Sequence, residues 1–219
     1  MEQGVVVVPV RPDRPPASRC CAAPSWWNGW RQVSPVVANG GGGTERVERL
    51  LARAKCSSCR RCFTCYPDEL YPQRQFQLDV VAQAVAAVSF GDASAPAAAR
   101  SVGASATSAR RWTAWVAELA EPHVLLRVAT HLDPDAPVGA GFSTTPSGSA
   151  LHARAGRVLA ALEQLGAALV RRGVALFARS GLGRVLGWQR ITHGDVVGLV
   201  REPKTLSPGM ALTGAPAGR

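Results

Sequence analysis

The stretch CSSCRRCFTCYP, residues 56–67, places Cys56, Cys59, Cys62 and Cys65 at a constant spacing of three, with two arginines inside the run. Thiols crowded this closely suit a soft metal better than packing. C-x2-C is the unit of a zinc knuckle. The run also approaches the C-x2-C-x2-C-x3-C-P pattern of iron–sulfur ligation. Its last spacing is one residue short, and no second cysteine run supplies a further cluster, so zinc is the expected metal. A decayed site holding no metal is the alternative. The remaining cysteines, Cys20 and Cys21, are adjacent and make poor disulfide partners for each other.

A second constellation lies between Ala95 and Ala114. A helix-turn-helix needs a small residue where its two helices cross, a turn residue that tolerates positive φ, and apolar anchors on the second helix. Ala99, Gly103, and the group Val102, Ala104, Ala109 and Trp112 meet these requirements. The face expected to be exposed carries Ser105, Ala106, Thr107, Ser108, Arg110, Arg111 and Thr113. Such a helix enters a DNA major groove by its N-terminal residues. Ser105, Thr107, Ser108, Arg110 and Arg111 are therefore the candidate DNA contacts, Arg110 for base or phosphate, Arg111 for phosphate and the hydroxyls as further donors. The competing reading is a helical hairpin in an alanine-rich chain.

Composition agrees with an anionic partner. The net charge is +10, and 23 of the 25 basic residues are arginine, whose planar fork pairs bidentately with phosphate. Inflation of arginine, alanine, glycine and proline together is the competing cause. The start, MEQGVVVVPVRPDRPP, lacks a basic n-region, and no run approaches the ~20 apolar residues of a membrane span. A cytoplasmic protein with reduced thiols is the expectation.

These motifs need elements to hold them. VVVVPV at 5–10 suits a short strand, and Pro9 places it at an edge. TERVERLLARAK fits either a helical period or a strand entering Cys56, with strand preferred. Leu78, Val81, Val85 and Val88 mark one helix, closed by Gly91 and Asp92. Ser94 and Ser105 are N-cap candidates for the next two. Residues 130–149 have a linker's composition, a long helix starts at Ala150, and disorder is expected from Pro203 onward. Alanine favours helix, so the expected fold is mainly α. It divides into a small degenerate zinc ribbon (1–72), a three-helix helix-turn-helix domain (73–129), a linker (130–149), a helical C-terminal region (150–202) and a tail (203–219).

KCSSCRRCFTCYPDELYPQRQFQLDVVAQAV, followed by AAARSVGASATSARRW, resembles the N-terminal region of insertion-element transposases and their truncated relatives, over roughly residues 5–116. Cys56, Cys59, Arg60, Arg61 and Phe63 match that family's C-x2-C-R-R-x-F knuckle. Pro67, Pro72, Arg74 and Phe76 match the segment after the knuckle, and WWNGWR at 26–31 is similar to the strand after its first knuckle. The resemblance implies a zinc ribbon followed directly by a DNA-binding helix-turn-helix. The chain departs from it at the first knuckle, where only Cys20–Cys21 stands. Cys62 and Cys65 then replace the lost pair, making Cys56, Cys59, Cys62 and Cys65 the expected ligands; Cys20 or Cys21 is the other source. Four sulfurs leave no open position, so the metal is structural.

Transposases of this kind cut DNA with three carboxylates on two metal ions. The acids after Trp115 (Glu118, Glu121, Asp133, Asp135, Glu163, Asp195 and Glu202) fall on no convincing strand. HLDPD at 131–135 suits a solvated loop, and His152 and His193 are isolated. No enzyme is expected. Leu151, Ala155, Val158, Leu162, Leu165 and Leu169 alternate in steps of four and three, which suits either a homodimer seam along 151–170 or packing within the chain. DNA binding without a nuclease core is the expected function. The alternatives are a non-functional mobile-element remnant and a thiol- or metal-responsive regulator.

Overall fold

A computed structural model of the chain describes residues 8–10, 15, 20, 21, 23–39, 43–67, 69, 70, 75–91, 93–135, 146 and 148–191. The N-terminal part is built on β-structure. Strands β1 (Val8–Val10), β2 (Ser25–Val33), β5 (Arg49–Cys56) and β6 (Cys62–Thr64) form one sheet; β3 (Val36–Ala38) and β4 (Thr44–Arg46) form a second, two-stranded one. β5 is central, pairing parallel with β1 and antiparallel with β2 and β6. Pro9 sits on the edge strand, where its missing N–H costs no ladder bond. A bulge interrupts β2 between Trp27 and Trp30, and Gly29 within it takes φ +77°.

The expectation of a mainly α fold is overturned: the chain is mixed α and β, with strands distributed from Val8 to Thr64. The reason is where the alanine lies. Only six of the 36 alanines precede residue 77. The earlier segments carry valine, tryptophan and short apolar runs broken by turn residues, which suit half-buried strands. TERVERLLARAK forms two strands, β4 and β5, and no helix.

Helices α1 (Leu78–Ser89), α2 (Ala95–Ser101), α3 (Ala106–Leu119), α4 (Pro122–Leu132), α5 (Ala150–Arg171) and α6 (Gly181–Ile191) complete the chain order. Helix α5 lies at the centre and touches α1, α3, α4 and α6. Its Ala155, Val158, Leu162, Leu165 and Leu169 are all buried in the chain's own core, leaving only Leu151 of the seam exposed. Each buried leucine contributes roughly 1.5–3 kcal/mol. Residues of 73–129 and 150–202 thus share one hydrophobic core. Arg154 adds polar fastening, donating to the Ala117 carbonyl at 2.8 Å and to Glu121 at 2.6 Å. The tail from Pro203 and the acids Asp195 and Glu202 lie outside the described residues.

Helix α6 is seated by two carboxylates. Buried Asp79, in the first turn of α1, accepts from the Arg179 and Ser180 amides at 3.0 and 2.9 Å and from the Ser180 hydroxyl at 2.5 Å. Glu163 on α5 accepts from the Gly181 amide at 2.7 Å. Burial is the main cause that raises the Glu163 pKa, with the Gly181 bond and Arg184 opposing it and Asp79 adding to it. The folded chain therefore holds this proton more tightly than the unfolded one. The stability so gained is complete below the ordinary value of 4.5 and is lost as pH rises through the folded pKa. Glu163→Gln keeps an acceptor for Gly181 without the buried charge. Its thermal midpoint should exceed that of the wild type at pH 7, with the gap closing as pH falls toward 4.5. A gap independent of pH would show that the carboxylate is not the cause.

Candidate metal centre and nucleic-acid interface

The turn between β5 and β6 forms one half of the candidate metal centre. The Cys56 amide donates to the Arg61 carbonyl at 2.9 Å and the Arg60 amide to the Cys56 carbonyl at 3.2 Å. Arg60 takes φ +62°, the left-handed region, where a side chain costs roughly 1–2 kcal/mol. Its guanidinium lies over Trp26, 4.9 Å from the ring centroid, which returns about 0.5–1 kcal/mol at an exposed site. The second half comes from the turn that precedes β2. Ser25 of β2 stands across from Cys56, so the turn at Cys20–Cys21, a few residues upstream, reaches the same end of β5.

The sulfurs of Cys20, Cys21, Cys56 and Cys59 all lie within 4.8 Å of one another, close enough to bind one metal ion. Cys20 and Cys59 approach to 3.3 Å. Four sulfurs at the zinc bonding distance of about 2.3 Å in a tetrahedron lie about 3.8 Å apart, so the spread brackets the required size. Adjacent cysteines would point to opposite faces of a strand, but Cys20 and Cys21 occupy a turn and both reach the cluster. Cys56 is buried; the other three are exposed. The Cys21 thiol titrates above the ordinary 9.0, first through its hydrogen bond with Cys59, with a Ser58 bond pulling the other way.

Of the four cysteines expected to share the metal, the structure brings together Cys56 and Cys59 but leaves Cys62 and Cys65 outside the cluster. Strand geometry explains this. Cys62 pairs with Lys55 and therefore projects to the face opposite Cys56; its sulfur accepts from Asn28 at 3.2 Å. The Cys65 amide bonds the Ala52 carbonyl at 2.8 Å, four positions and so about 13 Å along the strand from Cys56. Burial pushes the Cys65 thiol above 9.0.

The α2–α3 segment has the local features of a helix-turn-helix. Ser94 caps α2 and Ser105 caps α3, accepting from the Ser108 amide at 3.1 Å. Gly103 takes φ +65°, and the Ala104 amide returns to the Ala99 carbonyl at 2.8 Å. Ala99, Val102, Ala109 and Trp112 are buried. Phe76 meets Trp112 edge-to-face with centroids 4.9 Å apart, and Phe76 bridges to Val36, so α3 is fixed to the second sheet as well. Ser105, Thr107, Arg110 and Arg111 are exposed and Ser108 is half-buried, its hydroxyl 2.9 Å from that of Ser105. Thr113, placed on the exposed face from sequence, is buried; its hydroxyl donates to the Ala109 carbonyl.

Among the acids considered for catalysis, Asp133 pairs with Arg171 beside the end of α4, Glu121 pairs with Arg154, and Glu163 holds α6. No described helix is long and apolar enough to cross a membrane. Residues 18–112 are similar to a family described as a domain of unknown function (DUF6431). That span begins two residues before Cys20 and ends at Trp112, so it takes in all six cysteines and the exposed N-terminal turns of α3. No curated protein and no solved structure is significantly similar to the chain.

Proposed function

We propose that this chain is a cytoplasmic DNA-binding helix-turn-helix protein, related to the DNA-binding regions of insertion-element transposases and without a nuclease core. A zinc ion at Cys20, Cys21, Cys56 and Cys59 fastens the sheet. With four sulfur donors it has no vacancy for substrate and acts structurally. The observation that carries the reading is the two-sided character of α3. One side is locked to α2 through Gly103 and the buried Ala99, Val102 and Ala109; the other presents Thr107, Arg110 and Arg111 to solvent. A net charge of +10 favours the same partner.

The test is binding of the full chain to a fluorescent mixed-sequence 30-base-pair duplex across a salt series. Arg110→Ala with Arg111→Ala should weaken binding roughly tenfold or more. Each phosphate that is no longer neutralised makes the slope of log Kobs against log salt shallower by about 0.9, so the double variant should differ by about 2. Unchanged affinity and slope would remove the helix from the interface.

A further inference from the structure

The sheet carries an outer face that the helix-turn-helix does not use. Cross-strand partners project to one side of a sheet, and alternate residues of a strand share that side. Trp26 and Cys62 stand opposite Lys55, Thr64 opposite Arg53, and Arg31 opposite Leu51. Arg31, Arg53 and Lys55 therefore lie on one face, with the Arg60 guanidinium stacked on Trp26 beside them. Arg31, Arg60 and Trp26 are exposed, and Arg53 and Lys55 half-exposed. Among the described residues none of the four cations pairs with a carboxylate. Further along, Arg49 on the same side is neutralised by Glu69 at 2.6 Å. The other side of β5 holds Ala52, Ala54 and Cys56, all buried; on the cationic side Leu51, between Arg53 and Arg49, is buried as well.

Proximity to thiolates accounts for Lys55 and Arg60, which adjoin Cys56 and Cys59, but not for Arg53 and Arg31. Arg53 is three strand positions from Cys56 and the Arg31 pairing five, about 10 and 17 Å. The cations follow the line of a strand on a rigid sheet instead of converging on a pocket, and a linear polyanion is their natural complement.

We propose that this outer face is a second, sequence-independent contact for the phosphate backbone of duplex DNA. The partner rests on the function proposed above; the geometry does not.

Arg31→Ser, Arg53→Ser and Lys55→Ser, combined in the full chain, should make the salt slope on the same 30-base-pair duplex shallower by about 2–3, from about 0.9 per phosphate. The loss should be equal on duplexes of unrelated sequence, with metal content unchanged. Arg31→Ser alone, at an exposed position, should give a change of about 1 and serves if the triple variant does not fold. An unchanged slope in both, with the Arg110/Arg111 variant weakened, overturns the inference and leaves the helix reading standing. A shallower slope with no effect of the Arg110/Arg111 variant supports the face and overturns the helix. No binding of the unaltered chain to duplex overturns both. Equal or tighter binding to phosphatidylserine vesicles, lost in the same variants, overturns the nucleic-acid assignment in favour of a lipid surface.

Discussion

Cys56→Ser is expected to take the purified protein from about one metal ion per chain to none, measured by elemental analysis, and to abolish cooperative melting of the N-terminal sheet. Cys56 is the buried member of the cluster and ends the central strand. Structural zinc contributes apparent binding free energies of roughly 10–16 kcal/mol to small sites, and that energy is folding energy. Loss of an outer partner of a ligand already costs about 10–100-fold in affinity; loss of a thiolate ligand itself should cost more. Cys20→Ser with Cys21→Ser should behave like Cys56→Ser. Cys62→Ser with Cys65→Ser should keep the metal. Metal kept in the Cys20/Cys21 variant but lost from both the Cys56 and the Cys62/Cys65 variants would return the site to the four cysteines at spacing three.

Gly181→Ala should be the most damaging single methyl that α6 can receive. A Cβ there would lie 2.3 Å from the Glu163 Cα and from the Leu162 carbonyl oxygen, both backbone atoms of α5 that cannot swing aside. The opposite surface is equally tight, since a Cβ on Gly166 would meet the Gly181 Cα at 2.8 Å. Helix α6 must move out, stretching the Asp79 and Glu163 bonds and opening space around buried Leu182 and Leu186. Overpacking of this kind costs about 3 kcal/mol. At roughly 2–4 °C per kcal/mol for a chain of this size, the thermal midpoint should fall by about 6–12 °C. A drop under a degree would mean that the α5–α6 crossing is looser than described.

Local chemistry makes the helices legible. Ser94, Ser105 and Gly103 announce two caps and a turn by residue type alone, and the apolar spacing of Leu78, Val81, Val85 and Val88 marks the buried face of α1. Pro9 announces an edge strand. Helix α4 is not among the helices expected from sequence, and its last residues fall in the stretch expected as linker, although Pro122 at its first turn and Leu125, Ala129 and Leu132 at helical spacing carry a local signal. The cysteine cluster is only half legible. The spacing of Cys56 and Cys59 is local, but their union with Cys20 and Cys21 depends on the register that sets Ser25 against Cys56. Pairing between strands over thirty residues apart leaves no local mark. Equal spacing makes Cys62 and Cys65 look equivalent to the first pair, yet the reversal at Arg60–Arg61 sends one to the other face and the other down the strand. Thr113 misleads because a hydroxyl on a helix satisfies itself on the preceding turn and can then be buried.

The Asp79 clamp sets an order of events during synthesis. Asp79 leaves the ribosome 100 residues before the Arg179 amide that it binds. At about 5–20 residues per second, that interval is roughly 5–20 s. Throughout it α1 has no α6 to receive, and once α5 has been made, late in that interval, its apolar surface that later covers Leu182 and Leu186 stays open until α6 follows. The sheet and the α2–α3 pair, completed upstream, can assemble in that time. The final core closes only when residue 181 and its helix have been made, so the last-synthesised described element locks one of the first helices in place.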